Sequence, residues 1–112
     1  MWLGYDGLVF TSNGPSAQLF ENTVKFKWTS KQENNFPVYI GSGDLFLFVL
    51  KLGYTLSWVI GPQIGDESTI IMKSTEACVK DSLPTSGWEY KDYQEWKTDS
   101  NLISALIPKE GS

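Results

Sequence analysis

Between Thr23 and Trp28 the chain alternates, with Val24, Phe26 and Trp28 on one side and Lys25 and Lys27 on the other. A period of two puts these sets on opposite faces of a half-buried antiparallel strand. "FPVYI" at 36–40 is also extended, but Pro37 has no N–H to give to a ladder, which predicts a strand start or a sheet edge. "GSGD" at 41–44 supplies the glycines of a tight turn, and it leads into Leu45–Leu50, whose unbroken apolarity predicts burial on both faces. "KLG" at 51–53 reads as the next turn, so 45–50 and 54–60 are expected to pair as a hairpin. In the second arm Tyr54, Leu56 and Trp58 are expected to face the interior, with Thr55 and Ser57 toward water. A Pro- and Gly-containing loop at 61–67 precedes a strand expected over "STIIM", 68–72, and "NLISALI" at 101–107 reads as the last strand.

The segment "WEYKDYQEWKTD", 88–99, supports two readings. Glu89, Asp92, Tyr93 and Trp96 have helical spacing, whereas Trp88 and Tyr90 alternate as in a strand. Pro84 and Gly87 upstream and the strand pattern downstream favour strands, with a short helix inside 89–97 as the alternative. The sum is an all-β chain, a small antiparallel β-sandwich or barrel of about eight or nine short strands. A single open sheet would leave too many apolar faces uncovered.

Length and composition narrow this picture. The 112 residues fit one domain, with a core over about 5–107 and a polar tail at 108–112. The 9 basic and 13 acidic residues give a net charge of −4, and the lysines are scattered, so nucleic acid is not an expected partner. The longest apolar run, "LFLFVL", is six residues, against the roughly 20 that a spanning helix needs. "MWLGYDGLVF" shows no basic segment followed by a long apolar stretch, as a secretory leader would. Cys78 has no partner cysteine in the chain and reads as a small apolar side chain packed inside.

Chemistry is limited by the absence of histidine. Ser-His-Asp and Cys-His arrangements and imidazole metal sites are out of reach. The carboxylates Asp66, Glu67, Glu89, Asp92, Glu95 and Asp99 remain, and two of them held across a sugar would suit a small hydrolase. The same acids, with Asp6, Asp44 and loop carbonyls, are the donors a calcium ion would need, but no stretch has the spacing of a calcium loop. Solvated loop charge is the better reading, and no cofactor or metal is expected. The unusual quantity is aromatic content, with 5 Trp, 5 Tyr and 6 Phe. Phe26, Phe46, Phe48 and Trp58 lie in strand patterns and read as core. Trp88, Tyr90, Tyr93 and Trp96 lie among charges, and with Asp92 and Glu95 they form the candidate ligand-binding set. Rings beside carboxylates suit sugar stacking or a protein contact.

The landmarks "NNFPVYI", "LFLF", "LSWVIGPQIG", "CVKDS" and "GWEYKDYQEW", over about residues 34–96, resemble an aromatic-rich β module of extracellular and surface proteins in marine invertebrates and protists. Its pattern runs N-x-x-P-x-Y, then W-x-I-G-x-x-x-G, then G-W. The resemblance implies a surface or secreted setting, with the cytoplasm as the alternative, and it implies no catalytic residues. "LFLF" stands where the module is rich in Tyr, and a second cysteine that members carry opposite the Cys78 position is missing, which puts that disulfide in doubt. The expected function is a non-catalytic module that binds a glycan or protein. The alternative is an assembly subunit that self-associates through strand edges, a hazard suggested by "FPVYI" and "LFLFVL".

Overall fold

The computed structural model describes residues 5–20, 22–76, 78 and 83–108; the segment 79–82, the tail beyond Pro108 and the side chain of Asp6 lie outside the described residues. Nine strands form one antiparallel sheet: β1 (Tyr5–Thr11), β2 (Thr23–Glu33), β3 (Phe36–Ile40), β4 (Phe46–Leu52), β5 (Thr55–Gly61), β6 (Met72–Ser74), β7 (Trp88–Asp92), β8 (Glu95–Thr98) and β9 (Ile103–Pro108). Their order is β8-β7-β6-β5-β4-β3-β2-β1-β9, so neighbours in sequence are neighbours in space except that β9 returns to lie beside β1. The sheet curls into a half-barrel. Phe10 on β1 meets Trp88 on β7 edge to face with ring centroids 4.9 Å apart, although five strands separate them in the sheet order. Curling solves the problem that an open sheet would have: its inner face closes on itself.

Alternation sorts the side chains as periodicity predicts. Leu8, Phe10, Val24, Phe26, Tyr39, Leu47, Val49, Trp58, Ile60, Met72, Trp88 and Tyr90 meet inside. Val38, Phe48 and Val59 point the other way and are buried too, beneath Ile64 and Ile70 of the β5–β6 connection, with Trp96 packed against the same group. This double burial explains why "LFLFVL" has no polar positions. No helix among the described residues is long and apolar enough to cross a membrane. Residues 88–92 and 95–98 are strands, not a helix.

Three expectations change. Pro37 marks a strand start, as the second residue of β3, but β3 is not an edge, since it lies between β2 and β4. Pro37 is tolerated because β3 pairs with β4 only at Tyr39 and Ile40, and where the two strands part the Asn34 side-chain amide donates to the Val49 carbonyl at 2.8 Å. Of the ringed arm, Trp58 is fully buried, whereas Tyr54 and Leu56 are exposed because the β4–β5 hairpin runs past the end of the core. The strand expected at 68–72 starts later: Glu67–Thr69 is a 3₁₀ turn whose N-cap, Asp66, accepts from the Ser68 N–H at 2.9 Å, and β6 begins at Met72.

Two local devices set the hairpin geometry. Asn34 and Asn35 both take left-handed φ, so they make the two-residue turn between Glu33 and Phe36 that Asn tolerates better than most residues. In β2 the register with β3 slips between Trp28 and Lys31; Ser30 adopts φ 70° there, and the Thr29 hydroxyl donates to Val38 O at 2.8 Å. Trp28, the last residue before the slip, keeps its pairing with the buried Tyr39 but is itself half in solvent.

Candidate functional site

The candidate set Trp88, Tyr90, Asp92, Tyr93, Glu95 and Trp96 lies on one element, the β7–β8 hairpin, but on different sides of it. Trp88 and Tyr90 alternate inward and are buried in the core. The Trp88 indole N–H donates to Pro84 O at 3.0 Å, so both its ring and its polar atom have partners within the fold. These two rings form no surface with the others. Asp92 and Glu95 face each other across the turn, and Lys97 answers both, at 2.7 Å from Asp92 and 3.9 Å from Glu95. The hydrogen bond and charge of Asp92 hold the Lys97 ammonium above the usual lysine range.

Tyr93 and Trp96 remain on the outside. Tyr93 occupies the turn with φ 59° and is 93% exposed. A bulky side chain in the left-handed region costs about 1–2 kcal/mol, and an exposed ring recovers almost none of it by packing. Trp96 lies flat enough against the outer cluster to be partly buried, with the Lys73 ammonium 4.5 Å from its ring centroid and that of Lys91 at 5.9 Å. Register explains this arrangement: Trp96 is the direct partner of Lys91, and Lys73 is one strand further along. Neither lysine forms an ion pair among the described residues. They were not visible as part of a site in the sequence, where all nine lysines are scattered; only the pairing register of β6, β7 and β8 gathers these two around one ring.

The other acids are used separately. Asp66 caps a 3₁₀ turn. Asp99, between β8 and β9, is buried and accepts hydrogen bonds from the Ser12 hydroxyl (2.7 Å), the Ser16 hydroxyl and N–H, and the Asn101 N–H (2.9 Å). Burial pushes its carboxyl up, but the bonds from Ser16, Ser12 and Asn101 more than offset that and hold it below the ordinary aspartate range. Its partners all donate, so it ties the β8–β9 turn to the segment after β1 instead of taking a proton from anything. Among the described residues no three Cys, Asp or Glu side chains come together as a metal-holding group. Cys78 packs on the core, and burial pushes its thiol up to about 11. An open recess of about 240 Å³ between Gln18, Leu19, Phe20, Ser42, Gly43 and Leu45 contains no titratable side chain.

Fold and site therefore define a small all-β protein with Tyr93, Trp96, Lys73 and Lys91 gathered on the outer side of β6, β7 and β8. No family model matches the chain, and no curated protein and no solved structure matches it.

Proposed function

We propose that this chain is a non-catalytic interaction module that recognises a protein partner through the outer side of the β7–β8 hairpin. The observation that carries the reading is Tyr93, a ring held almost wholly in water at a backbone position that disfavours it. Strain of this kind is retained where the side chain is used. Beside it, Trp96 offers apolar area, and Lys73, which lies opposite Glu89 in the ladder, and Lys91 offer ammonium groups engaged in no ion pair among the described residues. An acidic segment with an apolar residue or two fits this combination. A glycan fits less well, because stacking needs a free ring face and the Lys73 ammonium already lies over Trp96. The likeness to modules of surface proteins supports a surface or secreted setting for the same role.

The test is selection of a displayed random peptide library on the folded chain, beside a glycan panel followed by Trp96 emission with Trp96→Phe as the control. Enrichment of acidic peptides, lost in Tyr93→Gly and in Lys73→Glu/Lys91→Glu, is the expected result. Peptides indifferent to all three changes, or a glycan that alters Trp96 emission, would reject it.

A further inference from the structure

We infer that the chain pairs with a second copy of itself through the free edge of β9, antiparallel about a two-fold axis at Ala105. The sheet has two edges, β8 and β9, and they are built differently. Two of the four residues of β8, Glu95 and Lys97, are charged, and a charge on an edge strand discourages further pairing. Strand β9, "ISALIP", carries no charge at all. Its register with β1 runs without a slip from Gly7 to Thr11, opposite Ile107 to Ile103, and the irregularity between Tyr5 and Gly7 falls beside Pro108, outside that stretch. Among the described strands β9 pairs with β1 alone, which leaves every second backbone N–H and C=O pointing outward.

The side chains select the occupant. Leu8 and Phe10 of β1 are interior residues, and their partners Leu106 and Ser104 share that side; Ile103, Ala105 and Ile107 therefore lie on the outer face. There Ile103 is 66% exposed and Ala105 is also in solvent. A strand that carries large apolar residues two places either side of a small one is its own complement. With Ala105 opposite its counterpart, Ile103 of each copy faces Ile107 of the other, and no like charges meet. The alternative, β9 of one molecule against β8 of the next, would set Glu95 and Lys97 against isoleucines, and it would not close. The dimer joins two nine-stranded sheets into one through a strand that carries none of Tyr93, Trp96, Lys73 and Lys91.

Sedimentation velocity on the whole chain over a concentration series tests this. A dimer is expected, and Ala105→Lys, which places two ammonium groups across the axis on the solvent side, should weaken it by more than about tenfold with the thermal midpoint unchanged at concentrations where both chains are monomeric. If Ala105→Lys fails to fold, Ala105→Cys in a Cys78→Ser background decides: mild oxidation should crosslink it to covalent dimers, whereas Lys25→Cys in the same background should stay uncrosslinked. A monomer at millimolar concentration, a dimer indifferent to Ala105→Lys, open-ended polymers, or no crosslink at position 105 would each overturn the inference.

Discussion

At the scale of single residues, Asp99 shows how one buried carboxylate can hold two distant segments. Its partners Ser12 and Ser16 are more than eighty positions away, so nothing local in the sequence marks the trio, and Asp99 read there only as one more solvated acid. Its folded value is lowered, so it adds its full stability above the unfolded-chain value near 4 and loses it as pH falls through the lower folded value. Asp99→Asn should cost about 2 kcal/mol at neutral pH and flatten the loss of urea resistance on acidification. A variant with the wild-type acid slope would assign that slope to another group. Tyr93 makes the opposite prediction. Glycine relieves the left-handed strain at φ 59°, so Tyr93→Gly should raise stability by about 0.5–1 kcal/mol while removing the ring that recognition needs. A fall in the denaturation midpoint would show that the tyrosine serves the fold.

At the scale of elements, periodicity was a good guide to which strands exist and a poorer one to where each faces the solvent. The β4–β5 hairpin is legible from "LFLFVL" and Gly53, yet Leu56 continues the inward alternation of Trp58 beyond the core and Tyr54 falls in the turn itself, in open water. Alternation gives the side of the sheet, and only the lengths of neighbouring strands decide how far the core reaches. The β7–β8 hairpin fails in the reverse sense, because charged neighbours made Trp88 and Tyr90 look exposed although their inward parity places them beneath the curl. Pro37 signals the strand start but not an edge, for a related reason: a proline needs a gap in one ladder, and a gap can open inside a sheet where two strands diverge. The two hairpins should respond unequally to truncation. Trp58→Ala empties a fully buried site and should cost about 3–5 kcal/mol. Trp96 is covered on one side and should cost markedly less. Equal losses in chemical denaturation would mean that Trp96 is as much a core residue as Trp58.

At the scale of the molecule, the property that a strand count cannot supply is closure. Eight or nine short apolar strands announce a sandwich or barrel, but a single sheet that curls until its first and seventh strands touch satisfies the same demand. The contacts that close it join residues far apart in the chain: Phe10 with Trp88, and the Ser104 hydroxyl with Thr85 O at 2.7 Å. Closure makes the two ends of the sheet one cooperative unit even though no backbone ladder among the described strands connects them. A Phe10→Ala, Trp88→Ala double-mutant cycle should therefore return a coupling of about 0.5–1.5 kcal/mol, the range for an edge-to-face pair. Native-state hydrogen exchange gives the sharper measurement. If the sheet behaved as an open ribbon, Phe10→Ala would loosen β1 and its neighbours β2 and β9, leaving β7 protected. In the curled molecule the amides of β7 should lose protection together with those of β1, because removing one ring takes away the wall against which the other is buried.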